Sequence, residues 1–187
     1  MNSQPTRPEK NGGEVIKSMT LTPIGVVRSE IKKITFRPDV DVDPEARKAQ
    51  IREYHQKHKN IVAELVVYPE FEEALDGIDA FSHIVVLFWP HRLPEDRRNL
   101  RKVHPMGRKD VPQQGIFATR SPARPNPVLV SSVALLGRQG NILRVKGLEA
   151  LDGSPVIDIK PVTQLNDGVK NPTFPEWIKQ LHAELES

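Results

Sequence analysis

From residue 61 to residue 162 the chain offers one short β-rich run after another, each closed by turn residues, with no crossover helix between them. Strands joined this way pair antiparallel, and short twisted strands lose their exposed edges by closing on themselves. The runs lie at 61–68, 81–89, 114–119, 128–136, 142–148 and 156–162. An earlier one at 20–28 is entered through Pro23. Run 81–89 is almost wholly apolar, which predicts a central strand buried on both faces. A short helical turn is expected over 71–77, and hairpin turns at 137–141 and 152–155. The expected fold class is mainly β: a small antiparallel β-barrel with an inserted helix and a C-terminal helix. The insertion spans about 44–59, with Asp43 as cap, Pro44 at the first position, and Ile51 and Tyr54 as its main apolar residues. The closing helix spans about 174–186, where Trp177 or Ile178, Leu181 and Leu185 recur at helical spacing.

At 187 residues the expectation is one domain, 19–187, behind a disordered N-terminal tail, 1–18. That tail lacks the apolar stretch of a secretory signal, and no apolar run reaches the roughly 18 residues that suggest a membrane span. The absence of cysteine excludes a disulfide framework and thiolate metal sites, and fits a cytoplasmic location. Glycine-rich phosphate loops of the Rossmann and Walker types are also missing, so a doubly wound nucleotide site is not expected.

Two segments concentrate chemistry. Residues 91–109 carry Arg92, Arg97, Arg98, Arg101, Lys102, Arg108 and Lys109 against Glu95 and Asp96, in a chain whose net charge is only +3. This is either a polyanion footprint or a solvated loop, and residues 90–113 lack any sustained periodicity. Residues 117–127 hold Arg120 and Arg124 among Pro122, Pro125 and Pro127. Those prolines fix backbone angles, so the segment is a stiff non-helical loop presenting two guanidinium forks suited to carboxylate or phosphate. A plain proline-rich surface turn is the competing reading.

Single residues are less decisive. His83, inside the apolar run, reads as a core histidine with a bonded ring nitrogen. His91 lies just past the end of that run, where ligand groups commonly sit, and could equally be a surface histidine. The six histidines show no metal-binding spacing; His55 and His58 lack an apparent third ligand, and no metal is expected. The turn Asp152-Gly153-Ser154-Pro155 is explained by turn chemistry alone, unless its free amides and Asp152 face a ligand. Asp158 and Lys160 share a strand face and suggest a cross-strand charge pair on a wet surface.

In order, residues 24–29, Leu75-Asp76-Gly77-Ile78, Phe81-Ser82-His83, 117–127, 152–156 and Asp158-Ile159-Lys160-Pro161 resemble the TrmO, or YaeB-like, family of tRNA methyltransferases. The likeness runs from about 20 to 165. It implies a small β-barrel that binds S-adenosyl-L-methionine without a Rossmann fold, and a homodimer with that cofactor near the interface. The implied reaction methylates the exocyclic N6 amine of a threonylcarbamoyl-modified adenosine beside the tRNA anticodon, so tRNA is the implied partner. By position the likeness assigns cofactor contacts to Pro38, His91, Arg92, Arg120, Val130, Leu151, Asp152, Gly153, Ser154 and Pro155. Members commonly carry glutamine where Arg92 stands, Arg-Gln where Asp39-Val40 follow Pro38, and glycine where Leu129 stands. The helix at 44–59 reads as an insertion, and the small C-terminal domain of bacterial members has no counterpart in the match.

Methyl transfer from a sulfonium needs positioning more than it needs a metal. His91 and Asp152 are the candidate proton acceptors, and Arg120 is expected at the cofactor's carboxylate or the substrate, away from sulfur. Three other readings remain: a methyltransferase of another substrate, a non-catalytic S-adenosylmethionine sensor, and an RNA-binding barrel using residues 91–109.

Overall fold

The computed structural model describes residues 18–33 and 43–186. Its centre is a closed barrel of six antiparallel strands. In chain order these are β1 (Gly25–Arg28), β2 (Val62–Val67), β3 (His83–Phe88), β6 (Leu129–Gln139), β7 (Ile142–Lys146) and β8 (Pro155–Pro161), while β4 (Lys102–Val103) and β5 (Gln114–Gly115) form a separate ladder. Around the barrel the order is β1-β2-β7-β6-β3-β8, and β8 closes onto β1 through Gly25↔Val156 and Val26↔Pro155. The expected mainly β barrel with an inserted and a terminal helix is what the chain forms.

Alternation fills the interior. Val27, Leu65, Val67, Ile84, Val86, Val133, Leu143, Val145 and Val156 point inward and are nearly inaccessible. Each such side chain contributes roughly 1.5–3 kcal/mol of transfer free energy. Gly25 is required by proximity: a Cβ there would lie 2.4 Å from the Val66 carbonyl oxygen across the β1–β2 ladder. Register shifts fall between Leu87 and Phe88 against β8, and between Leu135 and Gly137 against β7. In the first the extra residue is Ile157, so it is β8 that bends, opposite the end of β3 after which His91 follows.

Several expectations need correction. The first strand begins only at Gly25, although the Ile24 amide already donates to the Val156 carbonyl at 2.8 Å. Strand β3 is not buried on both faces: Ile84, Val86 and Phe88 point in, while Val85 and Leu87 are half-covered. His83 is consequently exposed, not a core residue, and its Nδ1 lies 3.0 Å from Ser82 Oγ. A barrel has one interior, so a near-continuous apolar run still places alternate residues outside it. The turn expected over 71–77 is a 3-10 helix at Pro69–Leu75. The expected strand at 114–119 stops after two residues and becomes a 3-10 turn, Ile116–Ala118. Strand β6 runs on to Gln139 because the bulge absorbs Leu136 and pairing resumes at Gly137↔Arg144. Lys160 Nζ and Asp158 Oδ2 pair at 2.6 Å along β8 itself, not across strands.

The inserted helix α1 (Pro44–Asn60) starts as expected: Asp43 accepts from the amides of Glu45 and Ala46 at 3.0 and 3.1 Å. It is polar almost throughout and anchors through Ile51 and His58, both buried. A short helix, α2 (Gln164–Asp167), precedes α3 (Glu176–Glu186), where Trp177, Ile178 and Leu181 form the half-buried face. Glu184 of α3 ion-pairs with Arg108 and lies 3.8 Å from Lys48 of α1. The 90–113 connection is therefore tied to α3 by Arg108, which also pairs with Asp110 at 2.6 Å. Among the described residues no helix is long and apolar enough to cross a membrane.

Candidate functional site

A cavity of about 1020 Å³ opens where the end of β3, the loop after β5, and the turn before β8 meet α1 and α3. Phe88, Pro90, Leu129 and Leu151 give one end of it an apolar lining, with Arg120, Ser121 and Ser154 among them. Three residues singled out from the sequence, Arg120, Leu151 and Ser154, thus share one space.

The turn before β8 is held from three sides. The amides of Asp152, Gly153 and Ser154 donate to the carbonyls of Ile31, Val27 and Leu151 at 2.8, 2.8 and 3.0 Å. None of these amides is left for an anion, which removes the reading in which they face a ligand. Gly153 adopts φ +79°, the left-handed conformation that suits glycine. Asp152 is likewise engaged: Oδ1 accepts from the Ser29 amide at 3.0 Å and Oδ2 pairs with Lys32 Nζ at 2.8 Å. Lys32 and the Ser29 amide hold the Asp152 carboxyl below its ordinary value. Pro155 acts through its backbone, its carbonyl accepting from the Trp89 amide at 2.9 Å.

That last bond fixes the end of β3 and so places His91. Its Nδ1 lies 3.3 Å from the hydroxyl of Ser154, which is buried. Desolvation, then the neighbouring Arg92 charge, push the His91 imidazole below its ordinary value, with Asp152 opposing. His91 is accordingly neutral near pH 7; it does not itself line the cavity and reaches it through Ser154, which does. Arg92 turns away and donates to the Lys32 carbonyl at 2.6 Å, bracing the strip after β1.

The two arginines of the proline-rich loop have separate duties. Arg124 is half-buried and spends its guanidinium on the loop, donating to the Ser121 carbonyl at 2.8 Å and to the Thr119 carbonyl. Arg120 is exposed, makes one bond to the Val130 carbonyl at 2.5 Å, and keeps its other donors at the cavity. Val130 meets Arg120 through that carbonyl, and its side chain is exposed on β6. Pro38 lies outside the described residues. Among those described, no group of three or more His, Asp or Glu is arranged to hold a metal ion.

Reading along the sequence missed the far wall of this cavity, built by Tyr54, His55 and His58 of α1, Glu149, and Trp177, Ile178 and Leu181 of α3. These residues are remote in sequence and meet only by packing; the helical spacing of α1 and α3 was their one signal.

The profile of the tRNA-methyltransferase O N-terminal domain matches residues 46–168. A "Probable S-adenosyl-L-methionine-binding protein" of Methanothermobacter thermautotrophicus is 46% identical over 141 residues, covering 75% of this chain and 88% of its own length. An S-adenosyl-L-methionine-binding protein of Archaeoglobus fulgidus is 37% identical over 142 residues, 76% of this chain and 88% of its own. The crystal structure of TrmO from Pseudomonas aeruginosa superposes with a TM-score of 0.58 at 26% identity, covering 83% of this chain. The chain spans 61% of that solved structure's length.

Proposed function

The chain belongs to the tRNA-methyltransferase O family, and from that premise we propose that it binds S-adenosyl-L-methionine in the cavity between β3, the Arg120 loop and the turn before β8. We propose further that it methylates the exocyclic N6 amine of a modified adenosine in tRNA. The observation carrying this reading is the convergence of Arg120, Leu151 and Ser154 on one space, with His91 hydrogen-bonded to Ser154.

The residues fit such a group. Its carboxylate matches the free donors of Arg120, and its nucleoside matches the apolar surface of Phe88, Leu129 and Leu151. When bound it supplies a methyl carbon on a positively charged sulfur; as the acceptor's N–C bond forms and the S–C bond breaks, the acceptor loses a proton and sulfur its charge. His91 takes that proton in this reading, because its imidazole is neutral and unprotonated. Asp152 is the weaker acceptor: its carboxylate is already spent on Lys32 and Ser29 and its basicity is lowered. Arg120 orients from the carboxylate end, away from sulfur, so that it does not oppose the sulfonium charge. The chain works as a homodimer in the cytoplasm in this reading, with the exposed Val130 face of β6 available to a second copy.

The test is transfer of a tritiated methyl group to tRNA from a strain lacking the gene, followed by mass spectrometry of the nucleosides. Label on N6 of an adenosine is expected. Tight cofactor binding with no label on any RNA would replace the enzyme by a sensor of S-adenosylmethionine.

A further inference from the structure

Phe117 is 82% exposed, and among the large exposed apolar side chains of the described residues it alone lines the cavity. Single apolar side chains scattered on a surface need no explanation. This one is held out on a fixed mount. It is the middle residue of the 3-10 turn Ile116–Ala118, whose first residue, Ile116, is buried. The Ile116 amide donates to the Arg101 carbonyl at 2.9 Å, and the Thr119 hydroxyl donates to the Ile116 carbonyl at 2.9 Å. Arg124 donates to the Thr119 carbonyl from the loop beyond. The backbone on both sides of the ring is thus tied down.

Cations share the same edge. From 97 to 102 four of six residues are Arg or Lys and none is acidic; Glu95 and Asp96, just before them, offset two of those four charges. Arg97 lines the cavity with Phe117, and Lys102 pairs with Gly115, two residues before Phe117, in the β4–β5 ladder. The basic residues of this region divide by use. Arg92, Arg108 and Arg124 spend their guanidinium groups on protein carbonyls or carboxylates. Arg97, Arg101 and Lys102 are exposed and, among the described residues, make no side-chain hydrogen bond or ion pair.

An aromatic face set among unpaired cations matches a nucleotide strand, because every base has a π face and every phosphate a negative charge. A second copy of this chain fits less well: a two-fold contact through this patch would set the same cations against each other. Resting on the methyl-transfer reading above, we propose that this edge of the cavity holds the RNA acceptor. An unpaired base stacks on Phe117, and the phosphates beside it lie at Arg97, Arg101 and Lys102. The strand has to be single, since a base inside a duplex has both faces covered. Phe117 is thereby a substrate-positioning residue.

The experiment titrates the full chain into a short fluorescein-labelled single-stranded RNA and into the same strand annealed to its complement, reading anisotropy over a range of salt. The single strand is expected to bind the tighter. Phe117→Ala and Phe117→Leu should each weaken it about tenfold or more, while Phe117→Trp, which keeps a stacking surface, stays within about twofold. Arg97→Gln combined with Lys102→Gln should flatten the slope of log K against log salt by about 1.4, at roughly 0.7 per phosphate of a single strand. All these side chains are exposed, so unchanged unfolding midpoints report an intact barrel. No binding of the single strand, equal binding of the duplex, full affinity in Phe117→Leu, or an unchanged slope in the double variant would overturn the proposal. So would a changed sedimentation coefficient in Phe117→Ala with RNA affinity retained, which would give the ring to a second copy. RNA that binds through Phe117 yet takes no label in the methyl-transfer assay removes the methyl-transfer reading and leaves this surface standing. Labelled tRNA together with full affinity in Phe117→Leu does the reverse.

Discussion

Lys32 Nζ and Asp152 Oδ2 stand 2.8 Å apart, joining the strip that follows β1 to the turn that precedes β8. They lie 120 positions apart in the chain, and the same turn carries Ser154, the partner of His91. An ion pair on the surface thus ties down the turn that gives the cavity Leu151 and Ser154. Replacing Lys32 by Met should raise the Asp152 pKa towards its ordinary 3.8. The folded carboxyl is depressed, so its stabilisation is present above that value and is lost as pH falls through the folded pKa. The stability gap between the unmodified chain and Lys32→Met, read by urea unfolding from pH 7 downwards, should close as pH falls through the lowered pKa of the folded carboxyl. A gap that persists in acid would mean that Lys32 contributes by packing alone.

His91 makes an opposite-sided prediction about activity. Its imidazole is lowered from 6.5, so methyl transfer should decline only at pH below that value, where the ring protonates. The lowered pKa also means that acidification costs stability: below 6.5 the unfolded chain takes the proton more readily than the folded one. Removing the second cause of the shift with Arg92→Gln should move the acid limb of kcat/KM to higher pH. A limb that does not move would dissociate His91 from the proton transfer.

Arg120 and Arg124 should separate cleanly. Arg120→Ala is expected to weaken S-adenosylmethionine binding about tenfold or more in calorimetry, with little change in unfolding midpoint, since its side chain is exposed. Arg124→Ala removes charge-assisted bonds to the Ser121 and Thr119 carbonyls and should cost about 2–3 kcal/mol in denaturant unfolding. Unchanged affinity in Arg120→Ala would withdraw it from the cofactor site.

Gly25→Ala tests the barrel seam. Its Cβ would meet the Val66 carbonyl oxygen at 2.4 Å, a backbone atom that no rotamer change can move away. The expected loss is about 1–3 kcal/mol in thermal unfolding, as for overpacked cores. A neutral substitution would show that β1 can slide against β2.

The strands of the barrel were legible because alternation and turn residues are local signals; Val62–Val67 and Ile142–Lys146 fall inside the expected runs. The same local logic misjudged His83, since composition cannot say which side of a strand faces the single interior. The loop at 117–127 announced its stiffness through its prolines, but not that Arg124 would serve the loop while Arg120 served the cavity. That division depends on which carbonyls lie within reach once the chain has turned. The wall of Tyr54, Glu149 and Trp177 was silent because its members come from an inserted helix, a strand exit and a terminal helix. Only tertiary packing makes them neighbours.

Strand β8 meets β3 through five register pairs but β1 through only two, Gly25↔Val156 and Val26↔Pro155, so the shortest ladder of the cylinder is the one that closes it. A second copy that leaves this seam shut would read side chains, and the outward valine and leucine of β6, Val130 and Leu136, are the ones that evolution can alter without disturbing the interior.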